Sequence, residues 1–236
     1  MKIIVVANTA GGVGKTTTAH AISVAAVEYG KKVLAIDADP GSALTFCCGI
    51  ENPRITAKEF LAGEYSLDSA VAKTAERFAL LPSSSRLASL DIDTVLSAEK
   101  LRSSFSEFDL VVIDTATGPQ RLATFFLAMA DLVLIPTSSE ILGIRGALHT
   151  LDFARASGFL SSAHLLLTAV NGEISSEISE MFATNFAVLE PSIRFDLNVS
   201  ISQLQGRSLL TLDNKSEVAS DYREITYSLL EELSLI

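Results

Sequence analysis

The chain has 236 residues, 48% of them hydrophobic, and a formal net charge of −10 at pH 7. This length is enough for one α/β domain with a substantial core, so we expect residues 1–236 to form a single domain. The negative charge argues against a surface generally adapted to nucleic acid, although it leaves room for a local basic patch. No apolar run reaches the roughly 18–20 residues of a membrane span. No signal peptide is evident, and the adjacent Cys47 and Cys48 lack metal or redox spacing, so we expect a cytoplasmic protein.

The N-terminal residues follow the pattern of a phosphate-binding loop. An apolar run over Ile3–Ala7 predicts a strand, a glycine-rich turn follows it, and Lys15 opens a helical pattern. Glycines let backbone N–H groups converge on an anion, and the positive end of the helix dipole adds to the attraction. Lys15 would reach the β- and γ-phosphates, and the Thr16 hydroxyl would hold Mg²⁺. We expect a nucleotide to contact Gly11, Gly12, Val13, Gly14, Lys15, Thr16 and Thr17.

Two carboxylates follow the second predicted strand, Lys32–Asp37. Asp37 and Asp39 lie two residues apart, so in extended backbone they point the same way, and Pro40 stiffens the exit. The carboxyl ends of parallel strands are where α/β sheets bind ligands. A pair of exposed turn acids is the alternative, but the neighbouring phosphate-binding loop favours a role in the site.

Further short apolar runs alternate with helical patterns along the chain. A capping box at Thr56–Glu59 with Gly63 behind it predicts a short helix, and apolar spacing predicts a last helix over Ser216–Leu233. Alternating strands and helices indicate an α/β fold, a largely parallel twisted sheet of about seven or eight strands with helices on both faces. The remaining predicted strands are Phe78–Leu81, Leu110–Asp114, Leu132–Pro136, Ala163–Val170 and Phe186–Leu189.

The strand over Leu110–Asp114 ends in an acid, as expected of a carboxylate that binds Mg²⁺ through water. An apolar run closing on Asp is common by chance. It gains weight from its place in the order, after the phosphate-binding loop and the Asp37–Asp39 pair.

Residues 10–16 resemble the deviant phosphate-binding loop of the ParA/MinD family, usually written K-G-G-x-G-K-[ST]. Residues 37–40 resemble its D-x-D-P motif, and Ala130–Pro136 resembles another of its strands. The resemblance implies a P-loop NTPase fold of the deviant Walker A class, with ATP and Mg²⁺ as cofactors. It assigns Asp39 to position the attacking water, Asp37 to support the metal shell, and Asn171 to contact the adenine. A simple strand-end turn is the alternative for Asn171.

The resemblance also implies a function. Members close into ATP-dependent sandwich dimers, hydrolyse ATP when a ParB-like or other cargo-adaptor protein stimulates them, and position DNA or protein cargo. Two alternatives remain: a non-hydrolysing or very slow nucleotide switch that regulates a protein partner, and a family-related enzyme or metal-cluster carrier. The carrier is the weakest, because C-x-x-C is absent. None of the histidines, His20, His149 or His164, is expected to be catalytic.

The clearest departure from the family is Ala10, where members carry a signature lysine. Arg145, expected on a glycine-flanked turn, is a candidate to reach across the dimer instead, with Arg121 as runner-up and a solvated surface arginine as the alternative. Non-specific DNA binding and a place on the nucleoid would need a basic patch, for which the chain offers Arg194, Arg207, Lys215 and Arg223. A MinD-type membrane anchor at the C-terminus is rejected, because its polar face carries Glu231 and Glu232.

Overall fold

A computed structural model of the protein describes residues 1–156, 158, 162–172 and 176–236. Its centre is an eight-stranded sheet in the order β3-β4-β2-β5-β1-β6-β7-β8. Neighbouring strands are parallel except β3 and β4, which are antiparallel. The strands are β1 Lys2–Val6, β2 Val33–Ala38, β3 Ala72–Lys73, β4 Ala79–Leu81, β5 Leu110–Thr115, β6 Leu132–Thr137, β7 Ser162–Leu167 and β8 Ala187–Val188.

Helices connect the strands and cover the sheet. In chain order they are α1 Lys15–Glu28, α2 Ala43–Cys47, α3 Ala57–Leu61, α4 Leu67–Ala70, α5 Ala98–Ser104, α6 Arg121–Met129, α7 Ile141–Ala156, α8 Ser176–Asn185, α9 Asn198–Leu204, α10 Leu209–Leu212 and α11 Glu217–Glu232.

Side-chain alternation along β1 divides the core into two layers. Ile3 and Val5 join an apolar cluster with residues of α6 and α7, whereas Ile4 and Val6 join one with residues of α1 and α11. Both layers are fully buried at β1. This explains why β1 has no polar alternation, since a strand covered on both faces exposes neither.

The α/β architecture expected from the sequence is confirmed, and each predicted strand is present. The Thr56–Glu59 capping box is formed, and Ser216 caps α11 by accepting a hydrogen bond from the Ala219 N–H at 3.2 Å. The strand expected to reach Val170 ends at Leu167 instead, because Ala169 adopts a φ of 53°. The short antiparallel β3 was not predicted. Its two residues are too few to give a period.

Candidate nucleotide-binding site

The loop between β1 and α1 has the geometry that its glycines predict. Gly12 and Gly14 adopt φ values of 73° and 82°, and α1 begins at Lys15 with Gly14 as its N-cap. A Cβ at Gly14 would lie 3.3 Å from Thr168 Oγ1, so this position is limited sterically as well as by its backbone angle. Gly11 shows no positive φ, so the loop does not need a glycine there for that reason. The first amides of α1 are left for an anion.

Lys15 is held across the mouth of this loop. Its side chain is buried, and its Nζ donates a hydrogen bond to the Ala10 carbonyl at 2.8 Å. Burial lowers the pKa of Lys15, while the nearby Asp114 and Asp39 carboxylates act in the opposite direction. The ammonium group is therefore positioned near the loop and close to two acids of the site.

Thr16 and Asp114 form a pair that fits Mg²⁺. Thr16 Oγ1 donates to Asp114 Oδ2 at 2.7 Å, and β5 places Asp114 level with Asp37 of β2. Asp114 is fully buried, and burial followed by repulsion from Asp37 raises its pKa to about 8. Its other oxygen, Oδ1, has no hydrogen-bond partner within the described part of the chain.

An unpaired buried carboxylate oxygen is costly unless a cation or donor meets it, so these residues suit a divalent ion. The described residues contain no group of three or more His, Cys, Asp or Glu that could hold a metal alone. Mg²⁺ typically uses one or two protein groups together with substrate phosphates and water. The Thr16–Asp114 pair matches that arrangement.

Both carboxylate oxygens of Asp37 accept hydrogen bonds from the segment that follows β2. Asp37 is fully buried; its Oδ2 accepts hydrogen bonds from the Thr45 N–H at 2.8 Å and the Thr45 hydroxyl at 2.7 Å. Its Oδ1 accepts from the Asp39 N–H at 3.1 Å. Burial raises the pKa of Asp37 to about 6, against the lowering effect of these hydrogen bonds. Asp37 thus shapes the segment that carries Asp39.

Asp39 itself is only half-buried. Its Oδ1 accepts from the Gly41 N–H at 2.7 Å, which folds the carboxylate back over the turn. A Cβ at Gly41 would lie 3.2 Å from that oxygen. Asp39 is therefore the acid of the pair that remains accessible to solvent and to a substrate.

A cleft of about 230 Å³ adjoins the loop and is the candidate base site. Its wall includes Gly12 and Thr17 from the phosphate end, Thr168 and Ala169 after β7, and Phe195. Phe195 is 52% exposed, which leaves its ring free to stack on a base. Asn171 is exposed and does not line this cleft.

Phe195 and Thr168 were not predicted from the sequence as residues of the site. Thr168 donates to the Val13 carbonyl at 3.0 Å, and Val170 forms a lone bridge with Arg194, which brings the segment after Ile193 to the loop. The only signal in the sequence was an aromatic residue in an irregular stretch, with no motif around it.

Ala10 packs directly against α7. A Cβ at Gly146 would lie 2.6 Å from Ala10 Cβ and 2.9 Å from its N, so only glycine fits there. The Thr9 hydroxyl donates to the Gly146 carbonyl at 3.1 Å. Arg145, next to this contact, is exposed and lies in a helix, not on the expected turn. Arg121 pairs with Asp93 at 2.8 Å on the surface.

Two of the four residues suggested for a basic patch have acidic partners. Arg194 pairs with Asp221 at 2.6 Å and with Glu217 at 2.8 Å, and Arg223 pairs with Glu28 at 2.6 Å. Arg207 is half-buried and Lys215 is exposed. Among the described residues, no helix is both long and apolar enough to cross a bilayer.

A glycine-rich loop between a buried parallel strand and a helix, with Lys15 in its mouth and Thr16 bonded to Asp114, defines a P-loop nucleotide-binding protein. Residues 1–157 match a family model described as an AAA domain. An ATP-binding protein of Methanocaldococcus jannaschii is 30% identical over 230 residues, 94% of this chain and 86% of that protein. Maintenance of carboxysome distribution protein A of Synechococcus elongatus is 32% identical over 161 residues, 64% of each chain.

Solved structures of related proteins match the fold of this chain over nearly its whole length. Cobyrinic acid a,c-diamide synthase from Mycobacterium smegmatis, with bound ATP analog and magnesium, has a TM-score of 0.81 at 29% identity, covering 99% of this chain and 95% of its own. The Pyrococcus furiosus cell division ATPase MinD has a TM-score of 0.80 at 25% identity, covering 98% and 99%. The chromosome-partitioning ATPase Soj of Thermus thermophilus and the chromosome partitioning protein ParA of Myxococcus xanthus are also similar. The chain belongs to the ParA/MinD-type family of P-loop ATPases.

Proposed function

We propose that this protein binds Mg²⁺-ATP, closes into an ATP-dependent sandwich dimer and hydrolyses ATP slowly until a partner protein stimulates it. The dimer would position or segregate a cargo, and the chain would act as a single ATPase domain with a deviant Walker A loop. The observation that carries the proposal is the Thr16–Asp114 pair, with its unpaired buried oxygen, beside a loop whose mouth holds Lys15. Relatives named for partitioning, septum placement and carboxysome distribution support positioning of a cargo.

Each residue of the site has a defined part in this reaction. The amides of the Gly11–Thr17 loop and Lys15 bind the phosphates, and Thr16 and Asp114 provide the oxygens for Mg²⁺. Bound Mg²⁺ supplies charge neutralisation at the phosphates. Asp37 fixes the segment that carries Asp39 through Thr45. The half-buried Asp39 is free to orient the attacking water, which is the main task of the protein in phosphoryl transfer.

The surface around the nucleotide cleft supports a second copy as the dimer partner. Ile141 and Leu142 at the start of α7 are 75% and 69% exposed, and Leu197, next to the base cleft, is 70% exposed. Large apolar side chains grouped at one end of a sheet are typical of an interaction surface. A dimer closed over the nucleotides would bury them.

Arg145 is proposed as the cation that acts across this dimer. It follows directly after Ile144 and precedes Gly146, whose backbone touches Ala10. Its backbone therefore lies beside the position where family members carry the signature lysine. An exposed arginine there can offset the charge of a nucleotide held by the partner.

The structure says less about the cargo, and about the surface on which the dimer would be retained, than about the chemistry of the nucleotide site. A protein surface or DNA would both serve, but the acidic partners of Arg194 and Arg223 remove much of the basic patch that DNA needs. Because DNA is disfavoured in this way, we propose that the partner that stimulates hydrolysis is a protein adaptor. A non-hydrolysing switch is the second candidate, and Ala10 is the observation that favours it.

The test is ATP turnover together with molar mass in solution, with and without ATP. The wild-type protein is expected to hydrolyse ATP and to dimerise only with ATP. Asp39→Ala is expected to accumulate the ATP dimer while turnover falls at least about tenfold, and Asp68→Ala, an exposed aspartate on α4, should behave as wild type. Dimerisation without turnover in the wild type would favour the switch, and absence of both would refute the proposal.

Arg145 is tested separately. Arg145→Ala should weaken the dimer and slow turnover, and Ala10→Lys should restore both in the double variant. Arg155→Ala, an exposed arginine on the same helix, is the matched control. Normal dimerisation and turnover in Arg145→Ala would end this assignment.

A further inference from the structure

A second cleft, of about 840 Å³, lies at the carboxyl ends of β2 and β4. In the sheet, β4 flanks β2 on the side away from β5 and β1, so this cleft is displaced from the phosphate-binding loop. The lining comes from the loop after Asp39, from residues 50–54 and from residues 83–86. The nucleotide site uses none of residues 50–54 or 83–86.

Two of the serines that line this cleft, Ser83 and Ser84, carry buried hydroxyl groups that no other described residue engages. Ser83 is 1% exposed, and the Oγ atoms of both Ser83 and Ser84 have no hydrogen-bond partner within the described part of the chain. The Ser83 backbone, by contrast, is fixed, because its N–H donates to Thr45 Oγ1 at 2.8 Å. Buried hydroxyls normally find a partner, so two unpartnered ones in successive residues indicate a ligand.

Two arginines add positive charge to the same cleft. Arg86 donates to the Arg54 carbonyl at 3.1 Å and pairs with Glu59 at 3.2 Å, which fixes its position at the edge. Arg54 is exposed and lines the cleft. Guanidinium groups beside hydroxyl donors are the side chains that bind carboxylate and phosphate oxygens.

Another part of the lining is apolar. Phe46 is 54% exposed, and Ile50 and Pro53 lie beside it in the lining. Glu51 also lines the cleft and would repel a ligand with several negative groups. The cleft therefore combines a small anion-binding wall with an apolar wall.

We propose that this cleft binds a ligand that carries one carboxylate or phosphate group on an apolar frame. The oxyanion lies against Ser83, Ser84 and Arg54, and the apolar part lies on Phe46 and Ile50. The volume is within the range of small-molecule sites, about 300–1,000 Å³. The same chemistry could be supplied by a small organic acid or by an acidic side chain next to an apolar one in a peptide.

The cleft is connected to the ATP site through a short hydrogen-bond path. Ser83 N–H bonds to Thr45 Oγ1, and Thr45 bonds through the same oxygen to Asp37 Oδ2 at 2.7 Å. Binding in the cleft, however, requires neither ATP nor a dimer. Its test is thus independent of the function proposed above.

The experiment is a titration of the full chain, without nucleotide, followed by the backbone amide resonances. The probes are inorganic phosphate, 3-phenylpropanoate and the capped dipeptide acetyl-Phe-Glu-amide. We expect saturable shifts at Ser83–Arg86 and Arg54. Tightest binding of phenylpropanoate would identify a small organic acid as the source, and tightest binding of the dipeptide would identify a peptide partner. Tightest binding of phosphate, which has no apolar part, would contradict the proposal.

Ser83→Ala is expected to weaken binding of the best probe about tenfold, equivalent to about 1.4 kcal/mol. Its folding should be unaffected, because the removed hydroxyl has no partner in the described part of the protein. Arg54→Ala should weaken binding similarly, and the control Arg155→Ala should not. The proposal is overturned if no probe gives saturable shifts in the cleft, or if Ser83→Ala binds as tightly as the wild type.

Discussion

The two ends of the nucleotide cleft are built in different ways. At the phosphate end, Gly12, Gly14 and the first turn of α1 present backbone groups, and the side chains of Lys15, Asp37 and Asp114 are buried. At the base end, the wall comes from the irregular segment after β7 and from Phe195, which is half exposed. In the proposed site, phosphate recognition would therefore depend on backbone geometry, and base recognition on a few side chains brought together by the fold.

This difference predicts where substitutions matter. Changes at the phosphate end should affect stability and every nucleotide alike, because the same atoms hold the loop and the ligand. Changes at the base end should alter affinity for particular bases and leave stability nearly unchanged.

The largest effect is expected for Lys15→Ala. Loss of a charge-assisted contact to phosphate costs about 1.5–3 kcal/mol, so ATP affinity should fall by about 10- to 150-fold, measured by isothermal titration calorimetry. Lys100→Ala, an exposed lysine of α5, is the matched control. Undiminished ATP affinity in a folded Lys15→Ala protein would contradict the assignment of this loop.

Asp114→Asn should change how stability depends on pH in the absence of Mg²⁺ and nucleotide. The pKa of Asp114 is raised to about 8 in the folded protein, well above that of an unfolded aspartate. Between those values the unfolded chain is ionised while the folded one holds its proton, so wild-type stability falls as pH rises, by about 1.4 kcal/mol per unit.

Asp114→Asn lacks this loss. Its free energy of unfolding, relative to that of the wild type, should therefore rise by about 2–3 kcal/mol between pH 5 and pH 7. Chemical denaturation at both pH values measures the gap. Asp68→Asn, exposed on α4, should show no such gain. If the stability of Asp114→Asn and of the wild type changed with pH in parallel, the pKa of Asp114 would not be raised in the folded protein.

Gly146→Ala tests the contact between α7 and the loop. The added methyl would meet the Ala10 N at 2.9 Å, and this backbone atom cannot rotate away. Overpacking of this kind costs about 1–3 kcal/mol, partly offset by a gain in helix propensity of about 1 kcal/mol. We expect a net loss of stability together with weaker ATP binding, whereas His149→Ala on the same helix should alter neither. A fully stable variant with normal ATP affinity would mean that the loop adapts freely.

The smallest effect is expected at the base end. Phe195→Ala should weaken ATP about tenfold through loss of stacking, with no change in the unfolding midpoint. Asn171→Ala should stay within about twofold of the wild type, because Asn171 does not line the cleft. The opposite ranking of these two variants would return the adenine contact to Asn171.

The phosphate end of the site could be predicted from the sequence better than the base end. The left-handed backbone of Gly12 and Gly14 and the place of Lys15 and Thr16 at the start of α1 could be predicted from the sequence, because they depend on neighbours within one loop and one helix turn. The contact of Thr16 with Asp114 could be inferred only from strand order, since 98 positions separate the two residues. The adenine contact of Asn171 was expected from the family resemblance, and a resemblance along a strand says nothing about which way the following segment turns.

By itself, the sequence determined the alternation of buried strands and helices, the phosphate-binding loop and the acids next to the last residues of β2 and β5. These features depend on local spacing, and hydrophobic burial of strands between two helix layers then allows few arrangements. Only the tertiary structure decided that Thr45 holds Asp37, that Gly146 presses on Ala10, and that Phe195 lines the base cleft. These contacts join residues distant in the chain, and close packing, not periodicity, selects them.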